Sequence, residues 1–123
     1  MKIKTSTRVV FLFKNFVIKI PIDYRGYLQG KNERQIWDNY KQLGKLCPMI
    51  WEIFGIVCQS RCIPIDKINA NKVKEIKQLI PTFDFDNCDL YNPDNWGTYN
   101  KKEVLLDYGV NEQISKMYFL RKL

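Results

Sequence analysis

Asp94-Asn95-Trp96-Gly97 and then Val104-Leu105-Leu106-Asp107-Tyr108-Gly109 set two short polar motifs on either side of an apolar run. Glu103 to Leu106 predicts a short strand that opens directly onto Asp107-Tyr108-Gly109. The residues before it, 82–97, are irregular and acidic. Those after it, about 111–122, carry Ile114, Met117 and Tyr118 as the inner face of a terminal amphipathic helix.

Outward toward the start of the chain, residues 8–13 and 16–20 are rich in β-branched and aromatic side chains. Lys14-Asn15 between them fits a tight turn, which predicts two antiparallel strands closed by Pro21. A Gly/Tyr loop follows. Ile36, Trp37, Tyr40 and Leu43 then recur at helical spacing, so a helix is expected from about Lys31 to Leu43, with Gly44 as its cap. Glu33 lies three and four residues before Ile36 and Trp37 and therefore points toward the buried face. A carboxylate there is costly unless a cation meets it. A second hairpin is expected from residues 54–58 and 61–66 around Gln59-Ser60, and a short helix near 70–80 from Val73, Ile76 and Ile80, ended by Pro81. The expected order is ββαββα, loop, strand, α: an α+β fold with a mostly antiparallel sheet.

The chain of 123 residues fits one domain, 1–123, and its 46% hydrophobic and 14% aromatic content is that of a folded protein. No linker or repeat divides it. Lys14 interrupts the apolar run Val9 to Phe13, and no stretch approaches the roughly 20 apolar residues of a spanning helix. A soluble, cytoplasmic protein without membrane partners is expected. Cys47, Cys58, Cys62 and Cys88 lack the density of a disulfide framework. Without any histidine, and without two close cysteine pairs, they read as reduced thiols rather than zinc ligands. The net charge of +7 lies entirely in the first third: residues 1–45 hold ten Lys/Arg against three Asp/Glu. Such a segment attracts a polyanion such as nucleic acid, or simply keeps a small domain soluble.

The motifs around Asn95 and Asp107 resemble the catalytic loop and metal-binding turn of the protein-kinase-like superfamily, and especially small kinase-like proteins of bacteriophages. The front of the chain extends the resemblance. Phe16-Val17-Ile18-Lys19 matches the strand whose lysine binds nucleotide phosphates, and Glu33 matches the glutamate of the helix, the C-helix equivalent, that pairs with that lysine. Asp66-Lys67-Ile68 matches the hinge against which adenine lies. The resemblance thus implies ATP and Mg as cofactors, with Lys19, Glu33, Asp66, Ile68, Asn95 and Asp107 at the nucleotide and Asn95 and Asp107 on the metal. Magnesium takes hard oxygen ligands. A short hairpin between Gly97 and Leu105 would bring Asn95 and Asp107 side by side across its base, with Gly109 making the turn that aims the aspartate.

The chain departs from the kinase pattern in several places. Only Met1 to Thr7 precede the first expected strand and hold no glycine, so the Gly-rich loop is missing and one strand is expected to be lost. Asn87-Cys88-Asp89 stands where His-Arg-Asp belongs, and Asp89 precedes Asn95 by six residues where the motif spaces them about five apart. Asp89 is the expected catalytic base, together with Lys19 as the catalytic lysine, and Asp84 and Asp86 are lesser candidates. Fourteen residues follow Gly109, which implies a much reduced C-terminal lobe.

Three functions are therefore open. The first in preference is a pseudokinase: a nucleotide-binding module acting on a protein or ribonucleoprotein partner. The second is a minimal phosphotransferase. The third is a basic, phage-type inhibitor of a host enzyme or of a nucleic-acid-guided defence complex of the anti-CRISPR kind, working in the host cytoplasm. In that last case Tyr24, Tyr27 and Trp37 would be available for stacking.

Overall fold

A computed structural model of the chain describes residues 2–4, 7–80, 90–106 and 108. Strands β1 (Lys2–Lys4), β2 (Arg8–Leu12), β3 (Phe16–Pro21), β4 (Met49–Ile53) and β5 (Ile56–Ser60) form one antiparallel sheet in the order β1-β2-β3-β5-β4. Strands β6 (Ile63–Pro64), β7 (Trp96–Tyr99) and β8 (Lys102–Leu105) form a second antiparallel sheet in sequence order. Helix α1 (Tyr24–Tyr40) lies between β3 and β4 in the chain, and α2 (Ala70–Leu79) between β6 and β7. The fold is α+β, as expected. A strand ahead of Arg8, which the sequence did not predict, is present as β1, paired Ile3 to Val10.

The β2–β3 turn falls at Lys14-Asn15, where the Phe13 N–H donates to the Phe16 carbonyl at 2.9 Å. The second hairpin is not where the sequence suggested. It joins β4 to β5 through Phe54-Gly55, and residues 63–64 belong to the other sheet. Phe54 and Gly55 both have positive φ (52° and 81°), the requirement of the tightest hairpin turn. A phenylalanine pays a conformational cost there, so the turn carries no sequence signal at its first position.

Helix α1 begins at Tyr24, well before the expected Lys31. Asp23 caps it, its Oδ1 accepting from the N–H groups of Arg25 (3.0 Å) and Gly26 (3.2 Å). Gly26 and Gly30 look like loop residues but are helical, because their bare faces meet backbone. A Cβ on Gly30 would stand 2.2 Å from the Gly55 carbonyl oxygen, and one on Gly26 2.3 Å from that of Thr7. The helix therefore touches the sheet and the β4–β5 turn at van der Waals distance. It gives way to a 3-10 turn at Lys41–Leu43, closed by Gly44 in the left-handed region (φ 67°). Leu43, expected inside, is exposed.

The hydrophobic core joins α1 to α2 and the second sheet: Ile36, Leu46, Val73, Ile76, Ile80, Leu90, Trp96, Leu105 and Tyr108 pack together, with Trp37 against them. Val73, Ile76 and Ile80 are the face expected of α2. The two sheets are tied by backbone bonds, from Cys47 N–H to the Leu105 carbonyl and from Leu105 N–H to that of Lys45, each 2.9 Å. The expected terminal helix at 111–122 lies outside the described residues, as do Pro81, Asp84, Asp86 and Asp89.

Candidate functional site

Alternation along β3 sets Val17 and Lys19 on the buried face, and the register places Val10 opposite Lys19 and Arg8 opposite Pro21. Arg8 and Lys19 thus share the face on which α1 lies. Glu33, 0% exposed, comes down from α1 to meet both. Its Oε1 is 2.8 Å from Arg8 Nη2 and 3.7 Å from Lys19 Nζ. The expected lysine–glutamate pair is formed, but arginine makes the shorter contact. Sequence reasoning missed Arg8, although its alternation with Val10 was a usable signal.

Lys19, itself only 7% exposed, reaches past Glu33 to donate to the Leu106 carbonyl at 3.2 Å. Gln59 of β5, on the same face by register, donates to that carbonyl at 3.0 Å. The Leu106 N–H donates to the Asn95 carbonyl at 2.8 Å. On the other side of Asp107, Tyr108 is fully buried and its hydroxyl donates to the Cys47 carbonyl at 3.1 Å. Asp107 and Gly109 are outside the described residues, yet both chain neighbours of Asp107 are pinned.

The expected hairpin is present, with Trp96 opposite Leu105 and Gly97 opposite Val104. Asn95 ends a 3-10 turn, Pro93–Asn95, in which Asn92 Oδ1 accepts from the Asp94 N–H at 3.0 Å. The hairpin thereby brings Asn95 to the residue that precedes Asp107. Asp66 is exposed, and Ile68 packs partly buried against the core. Among the described residues no hydrogen bond or ion pair joins either of them to Lys19 or Glu33.

Several cations of the basic first third are paired with carboxylates, some of them from later in the chain. Beyond Arg8 and Lys19, Arg25 pairs with Asp23, Lys31 with Glu52, Arg34 with Asp38 and Lys45 with Glu75. Tyr24 and Tyr27 stack on each other at the helix start, centroids 5.9 Å apart. A cavity of about 350 Å³ opens elsewhere, between Leu43-Gly44-Lys45, Lys72, Lys101 of the β7–β8 turn and Lys102-Glu103 at the start of β8. Its lysines attract anions at a place the sequence did not single out.

Two thiols lie beside the site. Cys47 and Cys62 have their sulfurs 2.9 Å apart, and Cys47 Sγ is 3.1 Å from the Ser60 carbonyl oxygen. The hydrogen bond between the two lowers the Cys62 thiol below its ordinary range, opposed by burial and helped by Lys19. Cys47 is pushed up by that bond and by its own burial.

Comparison with protein-family models, with characterised proteins and with solved structures finds no match for this chain. Among the described residues no group of three or more metal-ligating side chains occurs, and no helix is long and apolar enough to cross a membrane.

Proposed function

We propose that this protein is a kinase-like binding module that holds a nucleotide with magnesium and acts chiefly by docking on a macromolecular partner. The observation that carries the reading is the position of Lys19. Its ammonium bridges the buried glutamate of α1 and the carbonyl that immediately precedes Asp107. A buried lysine ammonium held against a helix glutamate is the arrangement that meets a nucleotide phosphate in the kinase pattern, and magnesium would neutralise the rest of the phosphate charge. Lys19 is assigned to the phosphates, Glu33 to holding Lys19, Asn95 and Asp107 to the metal, and Asp66 to Ile68 to the base.

Docking is supported by β4. Among the described residues it is an edge strand, and Ile50, Trp51, Ile53 and the turn residue Phe54 are exposed along it, Phe54 at 76%. Exposed apolar edges are what proteins present to a partner strand. The spacing of Asp89 to Asn95 makes phosphoryl transfer the lesser reading, since that reaction depends on positioning.

Calorimetric titration of ATP and ADP, with and without magnesium, tests the nucleotide site in the native protein, Lys19→Ala and Asp107→Ala. The expected outcome is magnesium-dependent binding that falls at least tenfold in both variants while circular dichroism stays native. Native protein that binds neither nucleotide, or a Lys19→Ala protein that binds as well as the native one, would remove the nucleotide from the proposal.

A further inference from the structure

Cys47 and Cys62 flank the open end of the β4–β5 hairpin, Cys47 just before Met49 and Cys62 just after Ser60. That end is already fastened, by the Ser60 N–H donating to the Pro48 carbonyl at 2.9 Å. The two sulfurs therefore stand 2.9 Å apart without any rearrangement of the strands. A disulfide needs about 2.05 Å between sulfurs, so the remaining movement is less than one ångström. The two thiols are also unequal in access. Cys62 is partly exposed, whereas Cys47 is 0% exposed. Cys58, the other described thiol, is buried in β5, and burial pushes it up.

From this juxtaposition we propose that Cys62 and Cys47 form a redox modification site, in which Cys62 reacts first as the nucleophile and Cys47 resolves the adduct as an intramolecular disulfide. The oxidant class is a small disulfide such as oxidised glutathione. The Cys62 thiolate attacks one sulfur of that disulfide, whose S–S bond breaks and releases one thiolate, which takes up a proton. Cys47 then loses its proton and attacks Cys62 Sγ. The Cys47–Cys62 bond forms as the bond to the second small thiol breaks. The protein gives up two electrons and two protons, and one small disulfide becomes two thiols. In a reducing compartment such bonds are transient and act as sensors rather than as permanent braces.

This inference does not depend on nucleotide binding. The test treats the full chain with oxidised glutathione, traps free thiols by alkylation at intervals and maps the cysteines by mass spectrometry. In the native protein the expected result is a brief glutathione adduct on Cys62, followed by a Cys47–Cys62 crosslink within one chain. In Cys47→Ser the adduct on Cys62 should persist, because nothing resolves it. In Cys62→Ser, Cys47 should remain unmodified. A native protein in which the adduct persists, in which the crosslink runs between chains or to another cysteine, or in which no cysteine reacts, overturns the proposal. Because the native protein alone can give each of these results, the proposal stays testable even if a serine variant fails to fold.

Discussion

Glu33 is fully buried and meets two cations, so each residue of the Arg8–Glu33–Lys19 cluster contributes differently. Changing Glu33 to Gln takes the shared carboxylate away from both buried cations. Breaking a buried pair in this way costs about 3–5 kcal/mol. Urea titration should find Glu33→Gln destabilised on that scale, and Arg8→Ala destabilised more than Lys19→Ala, since arginine makes the 2.8 Å contact and lysine the 3.7 Å one. Equal losses for the arginine and lysine variants would mean that the lysine is structural. The thiols respond to pH in opposite directions. With its pKa lowered, Cys62 keeps its thiolate down to a lower pH than an ordinary thiol, whereas Cys47 is raised and holds its proton longer. Alkylation by iodoacetamide, followed across pH, should reach its half-maximal rate at lower pH for Cys62 in the folded protein than in the denatured chain. An unchanged or higher midpoint would contradict the hydrogen bond between Cys47 and Cys62.

At the scale of elements, α1 depends on two glycines that give it no helical propensity and much proximity. Ala is favoured over Gly in an isolated helix by about 1 kcal/mol. At Gly30 the new methyl would stand against the Gly55 backbone, which cannot rotate away. Gly30→Ala should therefore destabilise the protein, by about 1–3 kcal/mol as other overpacked sites do. A more stable Gly30→Ala variant in thermal denaturation would show that the helix stands off the turn. The same contact explains how much of the fold was legible. Residues whose pattern records their own burial were readable: Val73 and Ile76 of α2 with Ile80 at its end, the β2–β3 hairpin, strand β8, and Glu33 turned inward; β7, placed in an irregular stretch by pattern, was expected only through the kinase resemblance. Residues whose role is set by a distant partner were not. Gly26 and Gly30 imitate a loop because the backbones they approach, at Thr7 and Gly55, are remote in sequence. Phe54 conceals a turn, and the β4–β5 hairpin was consequently shifted. Lys19 and Glu33 were legible as a pair, but Arg8, Gln59 and the Leu106 carbonyl were not, since a backbone acceptor leaves no trace in composition.

Across the whole molecule, the larger sheet is assembled from two locally paired units, the β1–β2–β3 meander and the β4–β5 hairpin, with α1 between them in the chain. They meet along one seam, where Phe16 to Lys19 pair with Ser60 to Val57. Lys19 sits on that seam, and Glu33 and the Leu106 carbonyl converge on it from α1 and the end of β8. The consequence is kinetic. Contacts distant along the chain require loop closure before they contribute, so a seam of this kind forms late in folding. A late contact leaves the folding rate almost untouched and governs how fast the native state opens. Stopped-flow urea experiments on Val57→Ala and Glu33→Gln should show most of each stability loss as faster unfolding. A loss carried mainly by slower folding would place the seam in the nucleus. With a late seam, the lifetime of the native protein is set at Lys19, the residue on which the proposed nucleotide site also depends, and a bound phosphate would lengthen that lifetime by holding the two halves of the sheet together.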